Sequence, residues 1–111
     1  MSTLDVLADA RDILLSLTPQ VFIAGDPLPE GGAPHLILQP IDATDRVRYG
    51  SAASVTRVQV SAWAPTLSEA LELSDQARNA LRAARFVPAG SGPLTDPDIT
   101  LTGWRADYRR Q

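Results

Sequence analysis

Residues 57–81 read RVQVSAWAPTLSEALELSDQARNAL, and this stretch decides the fold. In its first part the apolar residues Val58, Val60 and Ala62 alternate with polar ones, which is the period of two of a half-buried β-strand. Pro65 then interrupts the strand, because proline has no backbone N–H to donate to a neighbouring strand. The pattern predicts a strand from about residue 55 to residue 63.

A helix is predicted to follow at once, from about residue 67 to residue 85. Thr66 and Glu69 have the spacing of a capping box, in which the threonine hydroxyl accepts from the Glu69 N–H and the carboxylate reaches back to the cap. Apolar residues then recur at the three- and four-residue spacing of one helix face: Ala70, Leu73, Ala77, Ala80, Leu81 and Ala84. This alanine-rich face is expected to pack on the sheet.

The composition is that of an ordinary globular chain. It has 111 residues, 44% hydrophobic and 21% charged, which suits one domain. A formal net charge of −3 and a pI near 4.9 argue against indiscriminate binding to nucleic acid or to anionic membranes, since both require a basic surface. The absence of cysteine excludes disulfides and thiolate metal sites.

Nothing in the sequence predicts export or insertion into a membrane. The N-terminus lacks a basic region followed by an apolar stretch, and no apolar run approaches the ~20 residues of a membrane span. We therefore expect a soluble protein that is made in the cytoplasm.

The N-terminal part predicts one helix and one short strand. Leucine and alanine recur at helical spacing over residues 4–17, with Ser2 or Thr3 as the cap, and Thr18-Pro19 ends the helix. Residues 21–23 are an apolar run that predicts a brief strand.

A loop, a strand and an arm follow in order. Three prolines and three glycines in residues 25–34 predict a surface loop. Residues 35–41 predict a mostly buried strand that Pro40 closes. Residues 42–54 are polar and contain glycine, and they predict either a long hairpin arm or a mobile loop.

The C-terminal part predicts a second loop and a last strand. Residues 88–97 are rich in proline and glycine and predict a loop, whereas residues 99–109 alternate and predict a strand with a bend at Gly103. The predicted order is α, β, β, β, α, β. This order is typical of a small single-domain α+β protein, with an antiparallel sheet of about four strands flanked by two helices.

The supply of catalytic side chains is poor. His35 is the only histidine, and no partner that would orient it as a general base is identifiable from the spacing, which favours a structural or solvent-facing role. The pairs Asp42 with Asp45 and Asp96 with Asp98 lack the EF-hand pattern, so side-chain-to-backbone turns are the favoured interpretation.

The glycine-containing loops do not predict a phosphate site. Gly25-Asp26 and Gly90-Ser91-Gly92 lack the lysine and the following helix of a phosphate-binding loop. We therefore predict no catalytic residue, no cofactor and no metal ligand, and we do not expect an enzyme.

Arginine and aromatic residues are the candidates for contacts with other chains. All ten basic residues are arginine, which suits interface pairing with carboxylates, although the codon bias of a GC-rich genome produces the same composition. The arginines of the second helix could instead form a solvated face, and the tryptophan could serve the core alone; both alternatives to an interface role remain open. The candidate interface residues lie in the arm, on the second helix and on the last strand: Arg46, Arg48, Tyr49, Arg78, Arg82, Arg85, Trp104 and Arg109.

The strand-to-helix stretch is similar to that of a known family. Residues 57–66, followed by Glu69-Ala70 and the helix to Leu81, resemble the small tail terminator, or tail completion, proteins of long-tailed phages, prophages and gene transfer agents. The resemblance implies an α+β fold with a twisted antiparallel sheet and two helices. Many relatives continue past the equivalent of residues 107–110 into a further strand, so a smaller sheet, or an edge completed by a neighbouring subunit, is expected here.

The resemblance also implies a function and partners. Members of the family form a hexameric ring on the head-proximal end of the tail tube, stop tube growth and present a surface to the head connector. The implied partners are further copies of the chain, the tail tube protein and the head connector or stopper protein, in the virion, with no membrane and no sequence-specific nucleic acid. DNA is expected to pass through the ring. The alternatives are another neck component, such as a head-completion or connector-adaptor protein, and a small ligand-binding module or enzyme that uses His35.

Overall fold

Two helices and five strands are present in a computed structural model that describes residues 3–27, 34–48, 51–95 and 100–110. In chain order they are α1 (Thr3–Leu15), β1 (Val21–Ile23), β2 (His35–Arg48), β3 (Ser51–Ala64), α2 (Leu67–Ala83), β4 (Phe86–Leu94) and β5 (Thr102–Arg110). The fold is α+β, as the sequence predicts, with five strands in place of about four.

The five strands form one sheet in the order β1-β2-β3-β5-β4. All neighbouring pairs are antiparallel except β1 and β2, which run parallel. The central strand β3 pairs with β2 on one side and with β5 on the other, so the segment that decides the fold lies in the middle of the sheet.

The additional strand, β4, lies where the sequence predicts a loop over residues 88–97, and that prediction is wrong for residues 88–94. Proline is tolerated in a strand at the edge of a sheet, and β4 is such a strand, because it pairs only with β5 among the described residues. The register shifts between Pro88 and Gly90, and Gly90 has a φ of 148°. The glycine thus allows a β-bulge that a residue with a side chain would strain.

The hydrophobic core lies between one face of the sheet and the two helices. The alternation on β3 buries Val58, Val60 and Ala62 as predicted, and Ala77 and Leu81 of α2 belong to the same core. Two of these core residues are alanines with no exposed surface, and such small side chains let the helix approach the strands closely. Burial of this apolar surface is the main stabilising term of the fold.

Of the two hydrogen bonds of the predicted capping box at the start of α2, the one accepted by the threonine is formed. The Thr66 hydroxyl accepts a hydrogen bond from the Glu69 N–H at 3.2 Å. The reciprocal bond from Glu69 back to the cap is not formed among the described residues, so the capping box is only half present. The helix ends at Ala83, and Arg85 takes a left-handed conformation with a φ of 70°.

Strands β2 and β3 form a long hairpin that extends past the rest of the sheet. Pro40 does not close β2, because the register shifts between Pro40 and Asp42 and the strand then continues to Arg48. The paired part that extends runs from Asp42, opposite Arg57, to Arg48, opposite Ser51. Among the described residues these stretches pair only with each other, except that Arg57 also pairs with β5. We call this segment, residues 42–48 and 51–56, the arm. Of the two predicted alternatives, the hairpin is confirmed.

Strand β5 continues through Gly103 without a β-bulge, so the irregularity predicted at this glycine is not formed. Gly103 pairs with Trp63 without any shift of register. A β-carbon built on Gly103 would lie 2.5 Å from Cζ3 of the Trp63 ring, which shows that the ring lies directly over the glycine. The glycine is needed for this close approach and not for a bulge.

Candidate interaction surfaces

The sheet has a face that carries no helix among the described residues, and we call it the open face. Side chains alternate along a strand. On β3, every second residue from Arg57 to Trp63 therefore points to this face, and the residues between them point to the core. At one end lies an aromatic row in which His35 pairs with Trp63 and Trp63 with Gly103. The Phe22 ring meets His35 edge-on with centroids 6.1 Å apart.

This row explains the burial of the only histidine. His35 is 4% exposed although it lies on the open face, where the Phe22 ring packs edge-on against it. The structure therefore gives His35 a packing role, in agreement with the favoured interpretation of the sequence.

Polar side chains occupy the middle of the open face. Arg105 pairs across the sheet with Ser61 and with Gly92, and its Nη1 lies 3.0 Å from Asp107 Oδ2 in an ion pair. The Gln59 amide donates to the Ser61 hydroxyl at 3.2 Å. Part of the Arg105 side chain lies over Gly92, where an added β-carbon would be 3.2 Å from Nη2. These contacts hold the arginine against the sheet.

Two exposed arginines lie at the other end of the open face, where the arm begins. Arg57 and Arg109 are direct cross-strand neighbours, and like charges in that position repel each other. Arg57 was not among the predicted interface residues, although the strand alternation places it on the open face. Together they present a basic end that suits an acidic partner surface.

A cleft on the other side of the sheet lies between α2 and the β4–β5 pair. It has a volume of about 130 Å³, and Arg78, Pro88, Gly90, Ser91, Ala106 and Tyr108 line it. Tyr108 is 1% exposed, and its hydroxyl oxygen is buried without a hydrogen-bond partner among the described residues. We call this feature the Tyr108 cleft.

The electrostatics of the cleft keep the phenol protonated. Burial raises the pKa of Tyr108 to about 12, because the phenolate would lose its hydration there. The Arg78 charge lowers this pKa, and the charges of Asp75 and Asp107 raise it. The hydroxyl is therefore available as a hydrogen-bond donor at neutral pH.

With this geometry in place, comparison with known proteins identifies the family. The family described as "Tail completion protein gp17" matches residues 5–111. The chain belongs to this family. Its members are structural proteins of phage-type tails, so this tail completion family member is a structural component of a virion.

A solved structure has the same fold as this family member. A chain of the structure titled "Virion of native gene transfer agent (GTA) particle" superimposes with a TM-score of 0.69 at 15% sequence identity. The match covers 97% of this chain and 89% of that chain. No curated protein sequence gives a significant match.

The structure does not bring the eight predicted interface residues of the family member into one patch. Arg109 lies on the open face, whereas Trp104 pairs with Ala62 and Pro93 on the helix side of the sheet and is half-buried. Arg78 and Arg82 are exposed on α2, and Arg85 is exposed just after the end of that helix.

The arm residues can be placed only in part. In the backbone register Arg46 pairs with Ala53 and Arg48 with Ser51, and Tyr49 lies outside the described residues. The aspartates 42, 45, 96 and 98, which were considered as cation ligands, have no described side chains.

The described part of the chain offers neither a cluster of metal ligands nor a membrane-spanning helix. No group of three or more His, Cys, Asp or Glu residues there could hold a metal ion. Neither helix of the family member combines the length and apolar character that a membrane crossing demands.

Sequence reasoning missed the Tyr108 cleft altogether. Tyr108 looks like one more alternating apolar position on the last strand, and Ser91 lies in a segment predicted to be a loop. Only the strand order, which places β4 next to β5 and under α2, brings these residues to Arg78.

Proposed function

We propose that this chain is the subunit of a homo-hexameric ring at the head-proximal end of the tail tube, where it ends tube polymerisation and joins the tail to the head. Membership of a tail completion family supports a role in the tail. The ring and its six copies are inferred from the family that the sequence resembles. The partners in this proposal are other copies of the chain, the tail tube protein and the head connector.

The observation that carries the ring proposal is the arm. Two-stranded hairpins are marginally stable alone, and the arm pairs with no other strand in the described part of the chain, so it gains stability by packing on a second molecule. A heterologous contact, in which the arm of one copy lies on a different surface of the next, closes into a ring when the rotation between copies permits. The predicted interface residues Arg46 and Arg48 belong to this arm.

The open face supports the same proposal. Its aromatic row and its basic end at Arg57 and Arg109 offer both the apolar and the charged contacts of a protein interface. Arginine is enriched in such interfaces because its planar guanidinium forms paired hydrogen bonds with carboxylates.

The test is to shorten the arm without disturbing its root. Replacing residues 44–55 by Asn-Gly joins Ala43 to Thr56, which are already cross-strand partners, through a two-residue hairpin turn. We expect the shortened protein to keep the circular dichroism spectrum and cooperative unfolding of the full chain but to elute as a monomer. The full chain is expected to form rings, measured by light scattering and negative-stain electron microscopy.

Arginine variants provide a matched pair. Arg109→Gln is expected to weaken ring formation, whereas Arg11→Gln, which removes an exposed charge from α1, is expected to leave it unchanged. A shortened protein that still forms rings would contradict the role of the arm. Rings that bind only to portal complexes and never to tail tubes would instead indicate a connector-adaptor.

A further inference from the structure

The Tyr108 cleft is equipped with hydrogen-bond donors that meet no acceptor among the described residues. The Tyr108 hydroxyl is buried and unpartnered among the described residues, and Tyr108 lines the same cavity as Arg78 and Ser91. An unsatisfied buried hydroxyl is costly in a folded protein, and such groups are rare unless something binds to them.

The cation beside the cleft favours an anionic ligand. Arg78 has no ion-pair partner within 4.0 Å among the described residues, whereas Asp107 is paired with Arg105 through Oδ2 and keeps a buried Oδ1 without a partner there. Asp75 stands one turn before Arg78 on α2, and its negative charge acts on the Tyr108 hydroxyl. An anion gains from Arg78 and is repelled by Asp75, and because both terms scale with the charge of the ligand, it is the shape of the anion that selects between a carboxylate and a phosphate.

We propose that the Tyr108 cleft is a carboxylate-binding site. The planar guanidinium of Arg78 matches the two oxygens of a carboxylate, and the hydroxyls of Tyr108 and Ser91 supply further donors. The bulged residues of β4, Pro88 and Gly90, form part of the wall of the cleft. A cavity of about 130 Å³ admits the end of a glutamate or aspartate side chain or a small free carboxylate.

The primary test is a titration of the isotope-labelled protein followed by NMR at constant ionic strength and pH 7. The probe is N-acetyl-glutamate methylamide, which carries one side-chain carboxylate, and its neutral match is N-acetyl-glutamine methylamide. Saturable shifts are expected at the amides of Gly90, Ser91 and Tyr108 with the glutamate probe only. Arg78→Gln and Tyr108→Phe should each weaken binding by about tenfold or more, and Arg11→Gln should leave it unchanged.

Several results would overturn the proposal. These are shifts that do not saturate up to the solubility limit of the probe, an equal response to the glutamine probe, or full binding by the Arg78→Gln variant. Tyr108→Phe retains the buried ring, so its loss of binding cannot be ascribed to unfolding if its amide spectrum stays dispersed.

A second measurement distinguishes the two sources of the carboxylate. If the ligand is an acidic side chain of a neighbouring chain, Arg78→Gln reduces assembly with tail tubes or with further copies, and a high concentration of the glutamate probe competes with assembly. If the ligand is a free small carboxylate, the probe binds, but neither Arg78→Gln nor a high concentration of the probe affects assembly. Because the titration is repeated on the protein whose residues 44–55 are replaced by Asn-Gly, which is expected to be a monomer, its failure is distinguishable from a failure to form rings.

Discussion

Replacing Tyr108 by phenylalanine is expected to stabilise the isolated protein. The substitution removes one hydroxyl that is buried without a partner among the described residues, and it keeps the ring and its packing. Leaving a buried polar group unsatisfied costs about 1–3 kcal/mol, so we expect a gain near the lower end, about 1 kcal/mol, in the free energy of unfolding. For a domain of this size that corresponds to a rise of about 4 °C in Tm.

The same substitution should remove a loss of stability at high pH. The Tyr108 phenol ionises at about 12 in the folded protein against 10.0 ordinarily, so the unfolded chain loses its proton first as the pH rises. Ionisation therefore favours unfolding. The stability is unaffected below pH 10, falls between pH 10 and 12, and levels off above that at a loss of about 2–3 kcal/mol.

The assay is urea unfolding of the two proteins at pH 7 and at steps from pH 9.5 to 11.5, followed by circular dichroism. The control is Tyr49→Phe, which changes the other tyrosine of the chain and should leave the alkaline loss in place. A Tyr108→Phe protein less stable than the parent at pH 7, or one with the same alkaline loss, would refute the reasoning. The same variant is expected to bind the glutamate probe less well, so that stability and binding change in opposite directions.

Three further substitutions test the fold. Gly103→Ala should lower the free energy of unfolding by about 1–3 kcal/mol, because the new methyl group would collide with the Trp63 ring, and an unchanged urea midpoint would contradict that packing. Arg85→Gly should raise it by about 1 kcal/mol, since glycine takes the left-handed conformation without strain, whereas Arg85→Ala should bring no such gain in a thermal melt. Thr66→Ala should cost about 1 kcal/mol through the lost cap, measured in urea beside Ser68→Ala, and equal effects of the two would count against the cap.

The elements that the sequence predicts correctly are those with a strong local period. The alternation around Val58 and Val60 and the threonine cap of α2 are local properties, and the structure has the strand and the helix in those places. Strand β4 was missed because proline and glycine normally mark loops, and only its edge position makes them compatible with a strand.

The candidate sites depend on the register and the order of the strands, and a local sequence pattern predicts neither. The Trp63 ring lies over Gly103, and Arg78 lines the same cleft as Tyr108 and Ser91, although these residues are far apart in the chain. Side-chain alternation predicts on which face a residue lies but not which residue of another strand stands beside it. Sequence reasoning could therefore name arginines as interface candidates without grouping them into surfaces.

The central claim is that the chain caps tail tubes as a ring. The most direct measurement is negative-stain electron microscopy of tail tube protein polymerised with and without the purified chain, with tube lengths measured and tube ends examined. We predict rings at one end of each tube and a shorter length distribution, both lost when residues 44–55 are replaced by Asn-Gly. A chain that stays monomeric at high concentration and leaves tube ends bare and tube lengths unchanged would contradict the claim.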